Sequence, residues 1–377
     1  MQWRQERVDE TVLIGPAEVQ ERGQLCRGPG RARSTAKAGK CIRYAVRIRR
    51  SSESQIPVVD ISGRTGPPDA RAFAVDAFGT ACRDVGFVAI SGHGVERERV
   101  ATMQKLAIDF FTQPLDLKMR CCDRHGPNRF KGYVPLERMA TGRGSLIEIF
   151  QAKPFETAED ALAAGVPADR VDEYSGNTWP DFIHDFHARW TEYYKTMTQL
   201  AAELFEMTAR FFGAPPDYFE PLIDHHVSDL ALNFYPPQHE TPDTTHLRAQ
   251  PHTDFGTLTL LAQDSAGGLQ IEDDNGEWVD VPVVNDTFVV NLGELMTPWT
   301  SGQWRATRHR VISPPATSEQ EHRLSIACFH KPNYRAVVTA IPGSERHGVE
   351  YPPIIAGEWF DQRRRTEAKA SAMETTS

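Results

Sequence analysis

The sequence lacks the long apolar runs that membrane proteins need. A membrane-spanning helix requires about 20 consecutive apolar residues, whereas the apolar stretches of this 377-residue chain, such as Thr257–Ala262 and Thr287–Val290, are only as long as β-strands. The N-terminus also lacks a compact apolar segment followed by small residues, which is the pattern of a secretory signal. We therefore expect no membrane partner and no secretion.

Cysteine is scarce, and its spacing is uninformative for metal or redox chemistry. The six cysteines are scattered along the chain without a Cys-x-x-Cys pair. This distribution indicates reduced thiols and a cytoplasmic protein. The neighbours Cys121 and Cys122 could form a redox pair, but we interpret them as ordinary surface or core thiols.

An excess of positive charge is also missing from most of the chain. The formal net charge is −9, although residues 1–50 are rich in Arg and Lys. Phosphate binding relies on clustered Lys and Arg, so we expect no nucleic-acid partner for most of the chain. The basic residues 1–50 are the one segment that could bind nucleic acid. Residues 1–55 have few aromatics and no sustained periodicity, which predicts a disordered extension. Its acidic residues argue against the alternative, an organelle transit peptide.

The remaining sequence changes from helical to strand character along its length. We predict an N-terminal region at 56–175, a long supporting helix from about Pro180 to Phe212 within 176–225, and a strand-rich region at 226–335. Residues 336–377 form a tail that could close over a site as a lid. Short strands at this spacing favour a sandwich or jelly roll, so the fold is predicted as α+β and mainly β.

A set of metal-binding residue types lies in the strand-rich region. His252 and Asp254 are two residues apart, so they can aim at one ion from a strand end, and His309 follows 55 residues after Asp254. Two imidazoles and one carboxylate leave coordination positions open, as in mononuclear non-haem Fe(II) sites. Two rival sets combine common polar residues and carry less weight: His184 with His187, and His225–His226 with Asp229.

The flanking sequence supports the first set. Gln250–Leu261 resembles the metal-binding strand of the isopenicillin N synthase-like Fe(II)/2-oxoglutarate oxygenases, and Arg305–Val311 resembles the segment that carries the second His of that family. The likeness is nearly continuous through residues 228–335, and a weaker one covers three N-terminal segments, Ile56–Ser62, Cys82–Val95 and Phe110–Lys118. The resemblance implies a double-stranded β-helix (jelly-roll) core behind a helical N-terminal region and a long supporting helix.

The resemblance also assigns roles to residues. It implies Fe(II) on His252, Asp254 and His309. Arg323-Leu324-Ser325 matches the Arg-x-Ser pair of the family, which holds the distal carboxylate of 2-oxoglutarate, and a guanidinium can bind a carboxylate bidentately. Asn233-Phe234-Tyr235-Pro236 resembles a segment whose Tyr hydroxyl contacts that carboxylate and whose Asn lies near the metal-bound end.

The implied activity is an Fe(II)/2-oxoglutarate-dependent dioxygenase. It would hydroxylate or desaturate a C–H bond of a small molecule with O2 as cosubstrate, release succinate and CO2, and benefit from ascorbate in vitro. Relatives that do not consume 2-oxoglutarate also hold a carboxylate with an Arg-x-Ser pair, so an Fe(II) oxidase or cyclase of the isopenicillin N synthase type stays as the alternative. A non-catalytic binding protein is a third hypothesis. We expect a monomer or a weak dimer.

The sequence says little about the substrate. Tyr133, Phe150 and Phe255 could form an apolar wall of its pocket, and core packing is the alternative for each. Arg138, Arg143 and Arg248 could meet an acidic substrate, but we interpret them as solvated surface residues.

Overall fold

The computed structural model describes residues 56–123, 131–136, 139, 145–237, 247–312, 322–345 and 348–374, with the side chains of 367–374 left aside. The predicted disorder of residues 1–55 and the surface positions expected for Arg138 and Arg143 lie outside these ranges.

The helices follow from amphipathic sequence with recognisable ends. Proline at the first turn of α1 fits its fixed φ, and Gly213 ends the long helix α6 with a φ of 76°, a conformation that glycine adopts without strain. In the described ranges the helices are α1 (Pro68–Asp84), α2 (Arg97–Phe111), α3 (Leu115–Met119), α4 (Ala158–Ala163), α5 (Val171–Tyr174), α6 (Phe186–Phe212), α7 (Glu220–Ile223), α8 (Met296–Trp299) and α9 (Ala356–Glu374).

The strands are short and mostly follow the second half of the chain. They are β1 (Val58–Asp60), β2 (Phe87–Ser91), β3 (Gly132–Val134), β4 (Glu148–Ala152), β5 (Asp229–Tyr235), β6 (Ala249–His252), β7 (Leu258–Gln263), β8 (Leu269–Glu272), β9 (Trp278–Asp280), β10 (Phe288–Leu292), β11 (His309–Val311), β12 (Arg323–Phe329), β13 (Val337–Val338) and β14 (Ile354–Ile355).

Two sheets form the β core. The described strands of the larger sheet run in the order β1-β2-β10-β7-β12-β5-β4-β3, and those of the smaller sheet run β6-β11-β8-β9. All neighbours pair antiparallel except β1 and β2. The non-sequential strand order is that of a jelly roll, which confirms the predicted fold class.

The core has two layers, one on each face of the larger sheet. On one face, α1, α2 and α6 bury their apolar sides; Met197 and Leu204 of α6 are fully buried there. On the other face, Tyr235 and Val289 pack in a second cluster with Ile271 and Val311 of the smaller sheet. Truncating a fully buried side chain of this size to alanine costs roughly 2–5 kcal/mol. The space between the two sheets is where the predicted ligands meet.

The supporting helix begins later than predicted. It starts at Phe186 rather than near Pro180, because Asp185 takes a left-handed backbone conformation with a φ of 58° that a helix cannot include. The strand-rich region predicted at 226–335 contains strands β5 to β12.

One structural finding concerns membrane-spanning helices, and another concerns the chemistry of a cysteine. No helix in the described part of the chain has the length and apolarity to cross a membrane. Cys121 is buried, and burial raises the pKa of its thiol to about 12, with a smaller contribution from Asp181. A thiol held in this form is a poor nucleophile, which favours a packing role over a redox pair with Cys122.

Candidate metal centre and carboxylate-binding end

Strand pairing brings the three predicted ligands together. His252 is the last residue of β6 and His309 is the first of β11, and the two residues are directly paired across the smaller sheet. Asp254 lies in the loop two residues after His252. His252 is exposed, whereas Asp254 and His309 are buried, so the cluster lies at the mouth of the space between the sheets.

The donor atoms of this cluster converge. Asp254 Oδ1 lies 3.9 Å from Nε2 of His252 and 3.9 Å from Nε2 of His309. Nδ1 of His252 donates to the carbonyl of Gln250 at 2.7 Å, and Nδ1 of His309 donates to the carbonyl of Thr307 at 3.2 Å. Each Nε2 therefore keeps a lone pair that is free to bind a metal ion, and the three donor atoms lie close enough together to share one ion. Within the described ranges, this is the group of three that could hold a metal.

The second oxygen of Asp254 is fixed by two further side chains. Oδ2 accepts hydrogen bonds from Thr259 Oγ1 at 2.6 Å and from Asn291 Nδ2 at 2.7 Å. Burial opposes ionisation of Asp254, but the two imidazoles and these hydrogen bonds outweigh it and hold its pKa below the usual value. Burial, with a smaller contribution from His252, lowers the pKa of His309 to about 4. An ionised carboxylate and a neutral imidazole are the protonation states that bind metals.

The loop that carries Asp254 is held by a close backbone contact. A Cβ at Gly293 would lie 2.3 Å from the carbonyl oxygen of Gly256. The two loops can therefore approach this closely only because residue 293 has no side chain. The amide of Glu294 then donates to the carbonyl of Asp254 at 2.8 Å. The loop after β10 thereby fixes the loop after β6.

The carboxylate of Glu294 links this loop to the C-terminal helix. Glu294 Oε1 accepts from Thr253 Oγ1 at 2.7 Å and pairs with Arg363 Nη2 of α9 at 2.6 Å. The Arg363 guanidinium also lies over the ring of Phe255, 4.7 Å from its centroid. The start of α9 is therefore packed beside the loop that carries the ligands.

The predicted carboxylate-binding residues share one face of the larger sheet. Arg323 pairs with Tyr235, and Ser325 pairs with Asn233, so all four side chains point to the space between the sheets. Arg323 is 1% exposed; its Nε donates to the carbonyl of Gly267 at 2.6 Å, and its Nη1 lies 3.4 Å from Ser325 Oγ. Its guanidinium lies 4.7 Å from the centroid of the Tyr235 ring. A buried guanidinium with N–H groups to spare can bind a carboxylate.

Tyr133 and Phe150 do not join this face. They are paired across β3 and β4, and Phe150 is paired with Leu232, whose neighbours Ala231 and Asn233 point the other way. Both side chains pack with Phe110 in the helical layer. Alternation along the strands thus directs them away from the metal cluster, and core packing describes them better than a pocket wall. Phe255 is half-buried against α9.

The rival histidine sets have other surroundings. His184 is 93% exposed, and His187 stacks on Trp179 with ring centroids 4.3 Å apart. Asp229 is occupied by Lys153 and Lys331. None of these groups of side chains assembles three ligands within the described part of the chain.

Sequence reasoning did not find Thr259, Asn291, Glu294 or Arg363. Asn291 carried one signal, since it is the polar residue in the otherwise apolar strand Phe288–Leu292. The other contacts cross from one element to another, and the spacing of residues along the chain does not reveal them.

Two family models match the chain. A model described as the 2OG-Fe(II) oxygenase superfamily matches residues 227–332, and one described as the non-haem dioxygenase in morphine synthesis N-terminal region matches residues 56–181. The first match contains all three ligands of the cluster and the Arg323–Ser325 pair.

Individual proteins agree with the models. Validamycin A dioxygenase of Streptomyces hygroscopicus subsp. limoneus is 31% identical over 314 residues, with 80% of this chain and 84% of the relative covered. The 2-oxoglutarate-dependent dioxygenase ecdK of Aspergillus rugulosus is 33% identical over 294 residues, with 71% and 88% covered.

Solved structures show the same fold. A full-length Neurospora crassa protein in complex with alpha-KG (2-oxoglutarate) and thymine superposes with a TM-score of 0.71 at 25% identity, covering 82% of this chain and 96% of that chain. The rice dioxygenase for auxin oxidation superposes with a TM-score of 0.64 at 26% identity, covering 84% and 96%. The converging ligands, the buried guanidinium and these matches agree with the resemblance seen in the sequence: the chain belongs to the 2-oxoglutarate/Fe(II) oxygenase family and is a 2-oxoglutarate-dependent dioxygenase.

Proposed function

We propose that this enzyme couples the oxidative decarboxylation of 2-oxoglutarate to the oxidation of a C–H bond in a small molecule. The observation that carries the proposal is the pairing of two sites between the same two sheets. His252, Asp254 and His309 present three donor atoms at one position, and Arg323 and Ser325 present a buried cation and a hydroxyl from the facing sheet.

The protein residues have distinct roles in this proposal. His252 Nε2, His309 Nε2 and one oxygen of Asp254 bind Fe(II) and leave its other coordination positions for ligands that are not protein. When bound, the iron supplies the O2 chemistry that decarboxylates the 2-oxo acid and oxidises the substrate. Thr259 and Asn291 keep the Asp254 carboxylate ionised and oriented.

At the other end, the residues hold the cosubstrate in one orientation. The Arg323 guanidinium donates to its distal carboxylate, with Ser325 Oγ and the Tyr235 hydroxyl as further donors. Asn233 lies two residues before Tyr235 on the same face of the strand. Burial of Arg323 excludes competing water and strengthens the charge-assisted hydrogen bonds. The alternative, an oxidase that does not use 2-oxoglutarate, is disfavoured because the matching relatives are named for their use of it.

The test is product formation. Purified enzyme with Fe(II), ascorbate and 2-oxoglutarate is incubated under air with candidate substrates, and succinate is measured. The compounds named for the relatives, validamycin A, thymine and auxin, make a first panel. We expect at least one small molecule to increase succinate formation in proportion to its own oxidation. Succinate formation that never exceeds that of enzyme-free controls, together with no binding of 2-oxoglutarate, would contradict the proposal.

We further propose that the enzyme acts in the cytoplasm as a monomer or weak dimer, without nucleic acid. The net charge of −9 supports the absence of a nucleic-acid partner. Size-exclusion chromatography with light scattering tests the oligomeric state, and a stable assembly larger than a dimer would contradict it.

The tail of residues 336–377 contains α9, whose contact with Phe255 and Glu294 supports a covering role for this segment.

A further inference from the structure

A second arginine lies at the carboxylate-binding end. Arg248 directly precedes β6, the strand that ends at His252, and it is only 3% exposed. Its guanidinium lies 5.8 Å from the centroid of the Tyr235 ring, the ring over which Arg323 lies at 4.7 Å. Two buried cations thus approach one aromatic side chain. The sequence had suggested that Arg248 would be a solvated surface residue, and its burial corrects that expectation.

Among the described residues, the buried guanidinium of Arg248 is only partly satisfied. Within the described residues, its Nε and Nη1 have no hydrogen-bond partner. Burial lowers the pKa of Arg248, and the charge of Arg323 lowers it further, while Tyr235 and Asp264 act in the opposite direction. Asp264 is engaged elsewhere, because its carboxylate accepts the amides of Leu324 and Ala266. Buried cations are normally paired, and buried donors are normally bonded.

An anion between the two arginines would remove this imbalance. It would supply acceptors to the two unsatisfied nitrogens of Arg248 and to the remaining N–H groups of Arg323, and it would offset the repulsion between two like charges. We propose that Arg248 is a second guanidinium for the distal carboxylate of 2-oxoglutarate, which it shares with Arg323. This inference rests on the function proposed above and adds a residue outside the Arg-x-Ser pair.

The proposal makes a prediction about selectivity among 2-oxo acids. 2-Oxovalerate has the same number of carbons as 2-oxoglutarate and the same 2-oxo acid group, but a methyl group replaces the distal carboxylate. If Arg248 binds that carboxylate, replacing it should weaken binding of 2-oxoglutarate and leave binding of 2-oxovalerate unchanged.

The experiment measures equilibrium binding rather than turnover. Both 2-oxo acids are titrated into the anaerobic Fe(II)-loaded protein by isothermal titration calorimetry, for the wild type and for Arg248→Gln and Arg248→Lys. We expect Arg248→Gln to raise the Kd of 2-oxoglutarate by roughly tenfold or more, because a charge-assisted contact is lost. Arg248→Lys keeps the charge without the planar geometry, so its Kd for 2-oxoglutarate should lie between those of the wild type and Arg248→Gln.

Arg64→Gln is the matched control. Arg64 is also a largely buried arginine, but it pairs with Glu203 at 2.7 Å and lies outside both ends of the site. We expect this variant to lose thermal stability and to keep the wild-type affinity for 2-oxoglutarate. Arg248→Gln should instead melt no lower than the wild type in the absence of 2-oxo acid, since it removes an unpaired buried charge.

The outcomes separate this inference from the proposed function. If the wild type binds 2-oxoglutarate and Arg248→Gln binds it within about twofold, the inference is overturned and the function stands. Equal losses for 2-oxoglutarate and 2-oxovalerate, or a lower melting temperature with such losses, would assign Arg248 a structural role and also overturn it. A wild type that binds no 2-oxoglutarate would overturn both.

Discussion

The metal end and the carboxylate end of this site are built on different principles. At the metal end, the protein already satisfies the atoms that do not bind metal: Nδ1 of His252 and of His309 each donate to a carbonyl, and Asp254 Oδ2 accepts two hydrogen bonds. At the carboxylate end, the described hydrogen bonds of Arg323 engage its Nε and Nη1, and two nitrogens of Arg248 have no partner among the described residues.

The difference concerns what each ligand must bring. A metal ion demands fixed directions from its ligands, so neighbouring side chains orient the imidazoles and the carboxylate beforehand. A carboxylate anion brings charge and several acceptors, so the protein can leave cationic donors for it to satisfy. Changes at the metal end should therefore impair metal retention, whereas changes at the carboxylate end should alter affinity for the 2-oxo acid and leave the metal bound.

Loss of a metal ligand should have the largest effect. In Asp254→Ala, the carboxylate between the two imidazoles is gone, and we expect succinate formation to fall by on the order of a thousandfold with loss of bound iron. Iron content by mass spectrometry and succinate by chromatography measure this. His225→Ala, at an exposed histidine, is the control and should match the wild type. A variant that keeps stoichiometric iron and full turnover would remove Asp254 from the metal site.

Loss of the buried cation in the Arg-x-Ser pair should come next. Arg323→Gln removes charge-assisted hydrogen bonds of roughly 1.5–3 kcal/mol, so we expect the KM for 2-oxoglutarate to rise by roughly ten- to a hundredfold. Iron content should stay at the wild-type level, which is the sharpest contrast with Asp254→Ala. Arg305→Gln, at an exposed arginine, serves as the control. If Arg323→Gln loses iron instead, the two ends of the site are not separable.

Removing a side chain that orients Asp254 should have a smaller effect on the metal. Thr259→Val keeps the shape of the side chain but removes the donor to Oδ2, and we expect Fe(II) affinity to fall by roughly tenfold. Thr259→Ser keeps the hydroxyl and should retain most of the affinity. Competitive titration with a metallochromic chelator gives both values. Equal affinities for the Val and Ser variants would show that this hydrogen bond does not prepare the metal end.

Local patterns predicted the elements and the ligands better than they predicted contacts between elements. The spacing of His252 and Asp254 and the strand alternation that places Arg323 with Ser325 are properties of single segments, and the structure brings these residues together as expected. Asn291 reaches Asp254 because β10 and β7 are neighbours in the sheet. The spacing of residues along the sequence does not predict which strands are neighbours.

The wrong expectations have the same origin. All residues of β4 are buried, so its sequence has no alternation to show which face carries Phe150. Arg248 looks like a surface residue by its type, and its burial depends on the bridge between Leu247 and Ser145 and on the approach of Tyr235 from another sheet. The start of α6 differs from the prediction because the left-handed backbone at Asp185 has no sequence signal of its own.

The smallest effect should come from the contact between α9 and the metal loop. Arg363→Gln breaks the pair with Glu294, and a partly exposed pair of this kind is worth under about 1 kcal/mol. We therefore expect Fe(II) affinity to fall by no more than about fivefold, with faster proteolysis of the C-terminal helix. Arg365→Gln, an exposed residue on the same helix, should change neither. Glu294 also accepts a hydrogen bond from the Thr253 hydroxyl and donates its backbone amide to the carbonyl of Asp254. A loss of Fe(II) affinity beyond about tenfold in Arg363→Gln would therefore mean that α9 helps to orient the metal ligands. The contrast between a preorganised metal end and an open carboxylate end would then extend to the C-terminal helix.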